Sequence, residues 1–110
     1  DLHDANLSEY YSFSHKLGLR DIALAHGIDI FVMATGGSVV ADTEALHLSA
    51  TIPDANIRAV WACQDMLTVD IADGRGPRNI DGHLHLPESP GLGAHPDEAA
   101  LGRPVAVYTA

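Results

Sequence analysis

The sequence predicts an α/β fold built on parallel strands. Two nearly continuous apolar runs, Ile28–Ala34 and Ile57–Cys63, are separated by a segment with helical periodicity. Strand, helix, strand in that order is a βαβ unit, which requires a crossover connection and parallel pairing. The third observation is a change of character after Cys63, where Gly74, Gly76, Pro77, Gly82, Pro87, Pro90, Gly91 and Gly93 mark a loop-rich tail.

The elements follow in order. Asp1–Lys16 mixes Asp, His, Asn, Ser and two tyrosines without a clear period. It reads as an irregular N-terminal arm, separate from a main unit over residues 17–110. Arg20–His26 is a short helical run closed by Gly27, which can adopt the left-handed backbone that ends a helix. Ile28–Ala34 is rich in apolar and β-branched residues, as expected of a strand buried on both faces. It breaks at Thr35-Gly36-Gly37, and Ser38 is a good N-cap for the helix that follows. Val39, Thr43, Leu46 and Ala50 form one stripe of that helix, and Pro53 follows its end. In the tail, Asn79–Leu86 reads as one short strand, Pro96–Leu101 as a helical turn, and Val105–Tyr108 as an edge strand. Two strands and a few helices do not cover both faces of a buried sheet. Self-association, or membership of something larger, is therefore expected.

The 110 residues have room for one domain with a modest core. Fifteen acidic residues against six basic ones give a formal charge of −9, which repels phosphate backbones and anionic lipid. Nucleic acid and membrane surfaces are thus poor partners. The single cysteine, Cys63, forms no internal disulfide, which suits a reducing cytoplasm. No apolar run reaches the length of a bilayer span, and no basic-then-apolar leader pattern is present at the N-terminus.

Several residues are candidates for chemistry. The Thr35–Ser38 turn lies where a strand meets a helix N-terminus, a place where free N–H groups and the helix dipole favour an anionic ligand. Two glycines permitting a tight turn account for the same residues without any ligand. His83 and His85 share one face if they lie on a strand, but two imidazoles fall short of the three or four protein ligands of a zinc site. They read as surface histidines. His26 suits a helix C-terminus, and His47 shares a helix with Glu44. Cys63 reads as a buried apolar thiol. Asp65 follows the second apolar run, where polar residues line the ligand crevice of parallel α/β folds.

Three stretches together resemble the last part of the enolase superfamily, in its mandelate-racemase and muconate-lactonizing branch and near its hydroxyproline-dehydratase-like members. Arg20–Ile28 is similar to the family's sixth helix leading into its seventh strand. Ala45-Leu46-His47-Leu48-Ser49-Ala50 resembles the "LHLAA" helix that follows. Asp65-Met66-Leu67, then Pro90-Gly91-Leu92-Gly93 with Asp97 and Leu101, resembles the C-terminal tail. The resemblance covers residues 17–108. It implies the closing βα units of an enolase-type TIM barrel, hence a partial barrel, since a whole one takes about 250 residues. It also implies a Mg²⁺-dependent enzyme that removes the proton α to a carboxylate, as racemases, epimerases, cycloisomerases and dehydratases of the family do.

On that resemblance Thr35, Gly36 and Gly37 lie at the barrel mouth after the seventh strand, and Trp61, Cys63 and Asp65 at the mouth after the eighth. All six would contact substrate rather than metal. The departures are equally specific. The family's carboxylate metal ligands and catalytic lysines belong to strands two to six. Lys16, the only lysine, stands outside the family's lysine context, where "KxxxxGG" is replaced by Tyr10-Tyr11-Ser12-Phe13-Ser14-His15-Lys16. Gly37 takes the place of a glutamate found in muconate-lactonizing relatives. The expectation is a chain with no cofactor of its own, Mg²⁺ belonging to the parent family, and incomplete catalytic machinery. A hydroxyproline or betaine-like acid is the expected substrate of the parent enzyme, and a homo-oligomer the expected assembly. The alternative is a small oligomeric binding module holding a small carboxylate at Thr35–Ser38.

Overall fold

In the computed structural model, which describes residues 4–8 by their backbone and 12–34, 38–63, 66–72 and 74–108 in full, three parallel strands form an open sheet in the order β1-β2-β3. These are β1 (Asp4–Ser8), β2 (Asp29–Met33) and β3 (Ile57–Trp61). Helix α1 (Phe13–Ala25) joins the first two and α2 (Val39–Ser49) the last two. The tail carries a small antiparallel hairpin of β4 (Asn79–Ile80) and β5 (His83–Leu84), then a single turn of helix, α3 (Glu98–Leu101). The α/β class expected from the sequence is present. The main sheet is a three-stranded open one.

Helix α1 starts at Ser12, whose hydroxyl accepts the backbone N–H of His15. Its end is a Schellman turn. Gly27 at φ 65° allows the N–H of Ile28 to reach Ala23 O at 2.9 Å, while its own N–H reaches Leu24 O at 3.1 Å. Ile28 and Ala23 then pack in the same core. Helix α2 begins at Ser38, whose hydroxyl accepts the N–H of Val40 at 3.3 Å. Its two buried hydroxyl residues satisfy themselves locally. Thr43 donates to Val39 O at 2.6 Å, and Ser49 donates to Ala45 O at 2.7 Å.

Along β2, burial alternates. Ile30 and Val32, with Ala34 beyond the strand, are buried against α1 and α2 through Ala23, Ala45, Leu48 and Ile52. Phe31 and Met33 point to the other face, which no helix covers among the described residues, and are half-buried. This differs from a strand buried on both faces, because both helices pack on one side of the sheet. Pairing of β2 with β3 is irregular between Ile30 and Phe31. Ile30 pairs with Ile57 and Phe31 with Ala59, so Arg58 is the extra residue. That bulge puts Ile57 and Val60, three apart in sequence, on the helix side with Ile30 and Val32, and leaves Ala59 and Trp61 on the open side.

The described residues of the expected N-terminal arm, 4–8 and 12–16, lie in a strand and at the start of a helix. Asp4–Ser8 pairs in register with Asp29–Met33, and α1 already begins at Phe13. In the tail, a turn at Asp81-Gly82 divides the expected Asn79–Leu86 strand into the β4–β5 hairpin. Val105–Tyr108 forms no strand and lies exposed. The tail nevertheless docks. Ala72 and Ala94 are buried around Val39 of α2, with Ile71 and Leu92 beside them. His47 of α2 donates to Leu92 O at 2.8 Å. Asp70 organises the preceding loop by accepting from Ala72 N–H, Gly74 N–H and Arg78 at 2.9, 2.8 and 2.7 Å. The radius of gyration is 15.1 Å, against about 13 Å for a compact domain of this length.

Candidate functional site

The C-terminal edge of the parallel sheet is where loops from β2 and β3 meet the first turn of α2. In open parallel α/β arrangements this is the edge at which ligands bind. Of the six sequence-derived candidates, Thr35, Gly36, Gly37 and Asp65 lie outside the described residues. Trp61 and Cys63 are described, and they differ sharply in environment.

Trp61 ends β3 on the open face and is 48% exposed. It borders a cleft of about 350 Å³ with Phe31, Ala59, Pro77, Asn79 and Leu84. The cleft therefore lies between the uncovered sheet face and the tail hairpin. Its walls are mainly apolar, with the Asn79 amide as a polar group, a composition suited to a small organic ligand with one polar end.

Cys63 is 4% exposed and faces inward. Its thiol donates to Ala34 O in a short contact, and its backbone N–H donates to both carboxylate oxygens of Asp42, at 3.0 and 3.1 Å. Ala34 N–H in turn donates to Trp61 O at 3.0 Å. The ends of β2 and β3 and the first turn of α2 are thus tied together by Ala34, Trp61, Cys63 and Asp42. Cys63 is a structural member of this edge, with its sulfur turned away from the cleft.

Asp42 is the residue that sequence reasoning missed. It is a carboxylate at 1% exposure in the first turn of α2. An acid there reads from sequence as a complement to the helix dipole. Its place between Val39 and Leu46 on the buried side was the only available hint. Asp42 also bears on the anion-binding alternative. The Ser38 hydroxyl already takes the Val40 N–H, and the Asp42 carboxylate adds negative charge to the same helix terminus. Both features disfavour an anion at Thr35–Ser38.

The remaining candidates are peripheral. His83 is exposed, with Nδ1 3.0 Å from Asp81 O, and His85 is exposed beyond it. His26 is the C-cap of α1. Among the described residues, no three His, Cys, Asp or Glu side chains gather in a way that could hold a metal ion. The described residues therefore do not fit a Mg²⁺ site. Also among them, no helix is long and apolar enough to cross a membrane. Asp70 has its pKa lowered from the usual 3.8. The Ala72 N–H bond is the largest cause; partial desolvation opposes it, and the Gly74 N–H and Arg78 reinforce it.

This fold and edge define a class of protein, parallel α/β with loops gathered at the strand ends. Residues 13–100 match the family described as Enolase C-terminal domain-like, and the chain belongs to that family. Its relatives lie in the branch expected from the sequence. A mandelate racemase/muconate lactonizing enzyme assignment is carried by a Silicibacter pomeroyi protein whose crystal structure is 68% identical. It superposes with a TM-score of 0.92 over 98% of this chain and 30% of that one. An enolase-superfamily member from Roseovarius nubinhibens, solved in complex with magnesium, is 45% identical with a TM-score of 0.78, over 83% of this chain and 25% of that one. Cis-3-hydroxy-L-proline dehydratase of Roseibium aggregatum is 33% identical over 91 residues, or 83% of this chain and 24% of that protein. The chain thus spans between about a quarter and a third of the length of these relatives.

Proposed function

We propose that this chain supplies closing strands and tail to an enolase-type barrel that acts on a small carboxylate by α-proton abstraction, and that it does not complete this chemistry alone. The observation that carries the reading is the one-sided sheet. Three sequence-consecutive parallel strands have both helices on the same face, whereas a doubly wound sheet would have helices on both. The uncovered face, with Phe31, Met33, Ala59 and Trp61, corresponds on this reading to the inside of the barrel. The Roseovarius relative solved with magnesium supports a metal in the complete enzyme. Its ligands and the proton-abstracting base would lie on other strands. This chain's part is a water-excluding wall at Trp61 and the loops at the sheet's C-terminal edge. Thr35, Gly36, Gly37 and Asp65 are proposed to contact substrate from those loops. By itself the chain would bury its open face against a second copy.

The test is a chimera in which residues 1–110 replace the matching segment of the Silicibacter pomeroyi relative. α-Proton exchange of cis-3-hydroxy-L-proline and a panel of proline and betaine acids is followed by NMR in D₂O with Mg²⁺. The chain alone is expected to exchange nothing and the chimera to exchange at least one acid. Exchange by the isolated chain would refute its incompleteness. A folded chimera inert toward the whole panel would refute the reaction class.

A further inference from the structure

We propose that Asp42 is the positioning residue of the substrate-facing edge, setting the placement of the turn that leaves β3. The inference rests on reading that edge as the mouth of a catalytic barrel, but the geometry stands by itself. A carboxylate at 1% exposure is costly to bury unless hydrogen bonds satisfy it. Both oxygens of Asp42 converge on one donor, the backbone N–H of Cys63, 21 residues further along the chain. That N–H lies two residues beyond the end of β3, where the sheet ladder no longer fixes the backbone. A side chain from α2 takes over the role of the ladder at that point.

Three features make this more than a packing contact. Both carboxylate oxygens accept the same backbone N–H, at 3.0 and 3.1 Å, so the side chain cannot rotate without losing part of the bond. The anchored residue sits between Trp61, which lines the cleft, and Asp65, the acidic candidate after β3. Asp42 also stands on the first turn of the helix that follows Thr35–Gly37. One carboxylate therefore links the first turn of α2 to the backbone just beyond β3. Any shift of Cys63 would move Trp61 relative to Ala34 and the first turn of α2. Asp42 itself, enclosed beneath the edge, acts through the backbone it holds.

Two measurements test this. In the isolated chain, hydrogen exchange of the Cys63 amide is followed in the parent, Asp42→Asn and Asp42→Ala. Exchange in Asp42→Ala is expected to accelerate by on the order of 10-fold or more, the worth of one charge-assisted bond, with Asp42→Asn between the two. In the chimera described above, kcat and KM are measured per folded enzyme. Asp42→Ala is expected to lower kcat/KM by up to about 100-fold, the scale of a misplaced contact, with partial recovery in Asp42→Asn. A purely structural role would reduce the yield of folded enzyme and leave both constants unchanged. That result, or a Cys63 amide equally protected in Asp42→Ala, overturns the proposal. If Asp42→Ala does not fold, Asp42→Asn carries both measurements. An inactive parent chimera would sink the functional reading, and the amide exchange would still decide whether Asp42 holds the turn.

Discussion

Removing Glu44 should cost this protein far more than removing its partner, Lys16. The Lys16 ammonium lies 2.7 Å from the Glu44 carboxylate, with side-chain exposures of 4% and 32%. Glu44→Ala leaves the Lys16 cation buried without the counter-charge it meets among the described residues. Breaking a buried pair from one side costs about 3–5 kcal/mol, and the partial exposure of Glu44 puts this case near the low end, about 3 kcal/mol. Lys16→Met removes the ammonium but keeps an apolar stem of similar length in the same space. The stranded Glu44 still reaches water, so that change should cost about 1 kcal/mol or less. A domain of this size has a total stability of about 5–15 kcal/mol, so the first substitution removes a large share and the second a small one. Urea denaturation followed by the emission of Trp61, the only tryptophan, measures both. A Lys16→Met protein less stable than Glu44→Ala would show that the desolvation argument has the wrong sign.

Three further outcomes are expected. The Asp70 carboxyl, followed by NMR titration, should show a pKa below 3.8. Because the folded value is the depressed one, its stabilising contribution is present above pH 3.8 and lost as pH falls through the folded value; a measured value at or above 3.8 would remove the loop-anchoring role assigned to it. Gly93→Ala should destabilise the docked tail by about 2 kcal/mol or more, since Gly93 sits at φ 80° and a methyl there runs into the Pro87 ring; an unchanged urea midpoint would count against the docking described. Light scattering on the isolated chain should give a dimer or larger assembly, with or without Mg²⁺, and a monomer would mean that the open sheet face needs no cover.

Much of the fold was legible because its signals are local. Gly27 and Ser38 mark helix ends through their own backbone chemistry, and the apolar runs at Ile28 and Ile57 announce strands. β1 was not legible. Asp4-Ala5-Asn6-Leu7-Ser8 has poor strand propensity, and only pairing with β2 makes it a strand. Val105–Tyr108 failed in the opposite way, having strand propensity but forming no strand. The Arg58 bulge leaves no mark in composition. At the site, residues beyond the ends of β2 and β3 could be named from strand order and resemblance. Asp42 could not, because its meaning depends on a backbone N–H 21 residues away.

Two polar ties made by β3 and the residues after it, one to β2 and one to α2, also bear on how the strands find their alignment. Side chains alternate with a period of two, so sliding β3 along β2 by two residues would keep the apolar side facing the helices. Hydrophobic pattern alone does not forbid that slip. At one end of the pair, however, Arg58 meets Asp29 in an ion pair, and at the other the amide of Cys63 meets Asp42. A two-residue displacement of β3 breaks both at once. The chain thus carries a ruler with one mark on β2 and one on α2, and a single setting of β3 satisfies both.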